Sequence, residues 1–212
     1  MARPSPGRGL YAITDRRLIP EAELVERVRK AIDGGAAISQ YRDKSSGQAR
    51  RLEQAAALAA LCSARQVPLI INDDIELAAA VNADGVHLGI DDASVRTARA
   101  QLGDEAIIGV SCYNRLERAV EAVAAGADYV AFGRFFASKT KPNAVTADID
   151  LLVAARQQLR VPIVAIGGVT PDNGAALIAA GADYLAAIDG VFGQADVSAA
   201  AQGYAVLFTS KG

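Results

Sequence analysis

Gln40, Tyr41, Arg42, Asp43 and Lys44 close an apolar run with three polar side chains spaced two apart. On an extended strand that spacing sets Gln40, Arg42 and Lys44 on one face and turns Tyr41 and Asp43 to the other. A guanidinium forks onto phosphate oxygens and an ammonium adds a point charge, so the first face suits a phosphate or diphosphate. A solvated strand end is the competing reading. Two later apolar runs end in Asn72-Asp73-Asp74 and in Gly89-Ile90-Asp91-Asp92. Carboxylates from neighbouring loops, near lysine and arginine, are the hard-oxygen donors of a magnesium-diphosphate site. The alternative is capping of the helices that follow, and one aspartate of each pair can cap while the other binds metal.

Other segments carry weaker chemistry. Phe132 to Pro142 holds Ser138, Lys139, Thr140 and Lys141 in one long loop able to cover a charged ligand. Gly167-Gly168 and Ile188-Asp189-Gly190 offer backbone amides that a phosphate can approach closely, or else simple turns. His87 is the only histidine; it lies within a strand and is expected to be a hydrogen-bonded lining residue rather than a general base. Ser111 ends an apolar run with no base placeable beside it, which suits a hydroxyl donor better than a nucleophile.

These residues need a scaffold that gathers distant segments. Short apolar runs alternate with alanine-rich segments, and the change falls at glycine: Ala125-Gly126-Ala127-Asp128-Tyr129 recurs as Ala180-Gly181-Ala182-Asp183-Tyr184. Strands are expected near Leu10 to Thr14, Ala37 to Arg42, Leu69 to Asn72, Gly85 to Leu88, Ile107 to Ser111, Tyr129 to Gly133, Ile163 to Gly167 and Tyr184 to Ile188. Helical spacing joins them, as in Leu24, Val28 and Ile32, or Leu52, Ala56, Ala59 and Ala60. Eight consecutive βα units without a linker predict an α/β fold, a single (β/α)8 TIM barrel over residues 1–212, with residues 1–8 a flexible extension. In such barrels the chemistry sits at the C-terminal strand ends, where all the residues above fall except His87.

Composition sets the company. With 212 residues and 51% hydrophobic content the chain can bury a full core. A formal net charge of -2 argues against nucleic acid or an anionic membrane as partner. No apolar stretch approaches the roughly 18 residues of a spanning helix, and a cytoplasmic protein with small-molecule partners is expected. Cys62 and Cys112 are too few and isolated for a disulfide framework or zinc site. A homo-oligomer is allowed.

Taken in order, the strand exits resemble the thiamine phosphate synthase family from about Gly9 to Phe192. The resemblance implies a transferase of thiamine biosynthesis that joins 4-amino-2-methyl-5-hydroxymethylpyrimidine diphosphate to 4-methyl-5-(2-phosphoethyl)thiazole and releases diphosphate. By that resemblance the stretch from Gln40 to Lys44, Tyr41 and Asp43 included, would bind the pyrimidine diphosphate together with Asn72, Ser111 and Lys141. Asp73 and Asp92 would hold the cofactor Mg2+. Ser138, Lys139, Thr140, Gly168, Ile188 and Asp189 would receive the thiazole phosphate, and Arg42, Lys44, Lys141 and Ser111 would form the catalytic set.

The chain departs from the family pattern in places. Tyr41 and Ile90 stand where leucine and glutamine are more usual, and Gly133-Arg134 replaces a more frequent Gly-Pro. Asp189 replaces a serine beside the thiazole phosphate, and a carboxylate there is compatible only if it points away and leaves its amide as donor. The rivals are a homologous thiazole tautomerase, expected to use a histidine after the fifth strand where this chain has Ser111-Cys112-Tyr113-Asn114, and a noncatalytic phosphate-binding barrel. Retention of Arg42, Lys44, Asp73 and Lys141 argues against both.

Overall fold

Short apolar strands, buried on both faces and alternating with helices, fold here into a closed parallel barrel. A computed structural model describes residues 7–136 and 146–209. Among them, β1 (Gly9–Ile13), β2 (Ala36–Tyr41), β3 (Leu69–Asn72), β4 (Gly85–Leu88), β5 (Ile107–Tyr113), β6 (Tyr129–Gly133), β7 (Ile163–Ile166) and β8 (Tyr184–Ala187) pair in sequence order, and β8 returns to β1. The helices are α1 (Leu24–Asp33), α2 (Gln48–Arg65), α3 (Ile75–Ala80), α4 (Val95–Leu102), α5 (Leu116–Ala124), α6 (Asp150–Gln158), α7 (Pro171–Ala179), a short α8 (Asp189–Phe192) and α9 (Val197–Thr209). Among the described residues no helix is long and apolar enough to cross a membrane.

The period of two along each strand divides the core in two. Tyr11, Ile13, Ile38, Ile70, Tyr129 and Val164 fill the barrel, while Leu10, Ala12, Leu69, Ile71 and Val130 face the helices. Tyr129 crosses the interior only because Gly109 stands on the neighbouring strand. A Cβ there would come 1.9 Å from the ring's Cζ.

The Ala-Asp repeat has a structural purpose. Asp84, Asp128 and Asp183 stand just before β4, β6 and β8, and each carboxylate accepts an amide of the preceding strand, from Leu69, Ile108 and Ile163 at 2.8, 2.8 and 2.9 Å. Arg99 and Arg156 hold the last two at 2.7 and 2.9 Å. The N-terminal rim is thus stitched strand to strand. Arg8 joins it by bonding Ala182 O at 3.0 Å.

Two helix readings change. The buried stripe of α2 is Gln54, Ala55, Leu58 and Cys62, with Leu52 exposed. Alanine on every side of this helix gives little contrast, so the few large residues do not mark its inner face from spacing alone. The helix behind β8 also arrives late: tiny α8 comes first, and α9 closes the ring against α1 and α7.

Candidate functional site

The C-terminal ends of the strands surround a cavity of about 430 Å³, whose lining includes Gln40, Arg42, Asn72, His87 and Ser111 on one side and Gly167, Gly168, Ile188 and Asp189 on the other. Around it the strands deliver the predicted residues by different local means.

Strand β2 ends at Tyr41, one residue short of the predicted Arg42, yet the alternation persists. Gln40 points inward and donates its Nε2 to Tyr11 at 2.7 Å. Arg42 lies in the mouth, with its backbone amide donating to Thr14 and its guanidinium 3.7 Å from Asp15. That Asp15 carboxyl is held below its usual range, first by its hydrogen bonds with Arg17. Tyr41 and Asp43 point the other way. Tyr41 donates to Gln54 on α2 at 2.7 Å, and Asp43 binds both hydroxyls and both amides of Ser45 and Ser46. They shape the loop that carries Lys44; neither lines the cavity.

Lys44 reaches over to Asp73, Nζ to Oδ2 2.6 Å. Asp73 occupies the left-handed region (φ 65°), an unusual conformation for a non-glycine residue, and its amide donates to His87 O on the next strand. This turn divides the work of the two aspartates. Asp74 caps α3 by accepting from Leu77 N at 2.9 Å and pairs with Arg51, so Asp73 is left for the mouth. The second pair behaves differently from a capping pair, because Ser94 caps α4. Asp92 instead accepts the Gly89 amide at 2.5 Å and meets Asp73. Burial first, then the hydrogen bond and negative charge of Asp73, push the Asp92 carboxyl up.

Two carboxylates in contact beside a lysine form a hard-oxygen donor set with excess negative charge. Among the described residues no group of three or more His, Cys, Asp or Glu offers a ready metal cage. The donor set therefore fits a small divalent cation of the magnesium kind, which takes one or two carboxylates and fills its other positions with substrate oxygens and water.

Strand β5 runs past Ser111 to Tyr113, and its register against β6 slips between those two residues. A bulge of this kind re-aims side chains beside a site. Ser111 Oγ lies 2.8 Å from His87 Nε2, and His87 Nδ1 lies 2.9 Å from the Tyr129 hydroxyl. Burial lowers the His87 pKa to about 4, so the ring is neutral at physiological pH.

On the opposite side, Gly167 and Gly168 both have positive φ, 99° and 65°, which frees the β7 exit to turn tightly. Asn173 braces this loop by accepting from the Thr170 amide and donating to Gly168 O, and Tyr204 donates to Val169 O at 2.8 Å. Ile188 and Asp189 open α8. The Asp189 carboxylate turns back along its own helix, where a Cβ on Gly193 would stand 2.6 Å from Oδ1. Ser138, Lys139, Thr140 and Lys141 lie outside the described residues. Tyr11, Thr14, Asp15 and Tyr129 were not expected in the site. Tyr11 interrupts an otherwise aliphatic strand with a hydroxyl, which is the one trace it leaves in the sequence.

A polar, charge-bearing mouth at the C-terminal end of a closed parallel barrel defines a (β/α)8-barrel enzyme. Residues 10–191 match the profile of the family described as Thiamine monophosphate synthase, and the chain belongs to that family. It is 53% identical over 203 residues to the Thiamine-phosphate synthase of Nitrosococcus oceani, covering 96% of this chain and 94% of the relative. The Thiamine-phosphate synthase of Azoarcus sp. is also 53% identical, with 95% and 97% covered. Among solved structures, a thiamine phosphate pyrophosphorylase from Pyrococcus furiosus superposes with a TM-score of 0.83 at 36% identity, with 92% of each chain covered.

Proposed function

We propose that this chain is a thiamine phosphate synthase acting on 4-amino-2-methyl-5-hydroxymethylpyrimidine diphosphate and 4-methyl-5-(2-phosphoethyl)thiazole. The observation that carries the proposal is the meeting of Lys44, Asp73 and Asp92 at the C-terminal strand exits, next in sequence to or within a few residues of the cavity-lining Arg42, Asn72 and His87, in a chain 53% identical to a Thiamine-phosphate synthase.

The reaction needs little covalent help from the protein. The bond between the pyrimidine methylene carbon and the diphosphate oxygen breaks, and diphosphate leaves with the electron pair. The electron-rich aminopyrimidine stabilises the carbocation. The thiazole nitrogen then donates its lone pair to form the new C–N bond, giving thiamine phosphate. Arg42 and Lys44, with Lys141, receive the charge that develops on the diphosphate. Gln40, Asn72 and Ser111 hold the pyrimidine, while Gly168, Ile188 and Asp189 supply the thiazole phosphate side with Ser138, Lys139 and Thr140. Mg2+, held by Asp73 and Asp92, supplies further charge neutralisation at the diphosphate when bound. No strong base is required, which agrees with a single histidine that is neutral and bonded on both nitrogens. A cytoplasmic setting and small-molecule partners complete the reading.

The test is direct. Purified protein with both substrates and Mg2+ should release thiamine phosphate and diphosphate in equal amounts, and omission of either substrate should abolish both products. No thiamine phosphate from the complete mixture overturns the assignment, and turnover of the carboxylated thiazole tautomer alone would put the tautomerase in its place.

A further inference from the structure

Gln40, Tyr11, Tyr129, His87 and Ser111 form one continuous hydrogen-bonded chain through the barrel, although they come from five strands, β2, β1, β6, β4 and β5. The links are Gln40 Nε2 to Tyr11 Oη at 2.7 Å, Tyr11 Oη to Tyr129 Oη at 2.7 Å, Tyr129 Oη to His87 Nδ1 at 2.9 Å and His87 Nε2 to Ser111 Oγ at 2.8 Å. Gln40, Tyr11, His87 and Ser111 line the cavity, and Tyr11 and Tyr129 are almost fully buried.

The orientation of the Gln40 amide, Nε2 towards Tyr11, gives these links a direction, and proton counting carries it from one to the next. Burial pushes both phenols well above their ordinary range, so each carries one proton, and the imidazole, buried between a phenol and a hydroxyl with no carboxylate on either ring nitrogen, is neutral with one N–H. Gln40 donates to Tyr11, so Tyr11 satisfies its own proton by donating to Tyr129. Tyr129 in turn donates to His87 Nδ1. That leaves the imidazole proton on Nε2, where it is donated to Ser111 Oγ. Reversing any one link would place two protons in one contact and none in another, and such a defect in a dry interior costs more than a bond in water.

We propose that Tyr11, Tyr129 and His87 are positioning residues that set hydrogen-bond polarity across the site, so that Gln40 presents Oε1 as an acceptor and Ser111 its hydroxyl as a donor. This rests on the aminopyrimidine reading of the site and deepens it into a specificity rule. An aminopyrimidine offers an amino donor beside a ring-nitrogen acceptor, which complements this pair. The corresponding 4-oxopyrimidine offers a carbonyl acceptor beside an N–H donor, and meets acceptor with acceptor and donor with donor. A buried site of fixed polarity rejects such a mismatch strongly, because its own polar groups are left unpaired.

The single histidine makes the polarity measurable without any substrate. In ¹⁵N NMR of the uniformly labelled free protein, the His87 ring should show a protonated Nε2 and an unprotonated Nδ1. The opposite tautomer overturns the proposal, whatever the enzyme makes. Tyr129→Phe keeps the ring that fills the space over Gly109 and removes the central hydroxyl. It should mix the two histidine tautomers. It should also raise the KM for the aminopyrimidine diphosphate by roughly tenfold, the scale of a lost buried hydrogen bond, while the KM for the thiazole phosphate stays unchanged. Isothermal titration with 4-amino- and 4-oxo-5-hydroxymethyl-2-methylpyrimidine should give wild-type discrimination on the order of 10²-fold or more, much reduced in Tyr129→Phe. Unchanged discrimination in the variant also overturns the proposal. Failure of the thiamine phosphate assay with the predicted tautomer intact would instead count against the substrate assignment alone.

Discussion

Asp84, Asp128 and Asp183 at the N-terminal rim each take a backbone amide from the preceding strand, and two of them also bind an arginine. Asp73 and Asp92 at the C-terminal rim face one another and share the charge of Lys44. The same side chain is thus spent on satisfied bonds at one end and on concentrated charge at the other. A carboxylate bonded to an amide and a guanidinium has little left to offer a ligand. Two crowded carboxylates are relieved by a cation, such as the Mg2+ proposed for them. The difference separates residues that hold the barrel from residues proposed to work in it, and substitutions at the two ends should separate likewise.

The largest effect is expected at the crowded end. Asp73→Ala should lower kcat by on the order of 10²-fold or more, because transition-state charge stabilisation is worth several kcal/mol. Its fold should persist without Mg2+, since relief of the repulsion on Asp92 offsets the lost Lys44 pair and the poorer fit of alanine to the left-handed turn. Loss of fold together with activity, seen by circular dichroism, would erase the contrast between the ends.

Between the ends, His87 gives the interior a pH dependence. Its folded pKa is lowered to about 4 while the unfolded value is that of an ordinary histidine, 6.5. Between these limits the unfolded chain binds the proton and the folded one does not, so stability present above about pH 6.5 is lost as the pH falls towards 4. The loss amounts to roughly 3 kcal/mol. Carboxylates titrate in the same window, so the check is the difference between wild type and His87→Asn in urea melts at pH 7 and pH 4.5. Parallel lines for the two proteins would remove His87 as the cause.

The stitched end comes next. Asp128→Ala leaves the Ile108 amide without its acceptor and Arg99 without its carboxylate, at a cost of roughly 1–3 kcal/mol. The KM for both substrates should stay as in wild type. A large change in either KM would mean that the two rims are coupled.

How much of this was legible depends on whether a contact is local. The eight strands were readable because glycine and the Ala-Asp repeat punctuate them, and their bounds shift by only a residue or two. The placing of Asp73 and Lys44 together follows from their positions at neighbouring strand exits. Tyr11 and Tyr129 were not legible, because their partners come from strands far apart in sequence and meet only once barrel closure and inward alternation are fixed. The rotation of α2 escaped for the opposite reason, since alanine on all sides of a helix marks no face. The role of Asp74 over Asp73 as the cap was undecidable from spacing, because it depends on the left-handed turn at Asp73.

The smallest effect is expected at Asp189, where the sequence raised the sharpest objection to phosphate binding. The carboxylate is folded back along α8 towards Gly193 and leaves the opening of the helix to its backbone. Its charge is felt behind the loop, where the Tyr204 hydroxyl is pushed up to about 12, mainly by burial and then by Asp189. On the proposed reading only the amide of residue 189 is needed by the thiazole phosphate, and serine would supply the same amide. Asp189→Ser should change the KM for the thiazole phosphate by less than about threefold, the scale of a screened surface charge. Arg134→Ala gives the matching measurement: Arg134 lines the same cavity, and its loss should weaken the thiazole phosphate more than Asp189→Ser strengthens it. A gain of tenfold or more in Asp189→Ser would show instead that the carboxylate opposes the phosphate, and that this rim, like the one at Asp73, carries uncompensated charge.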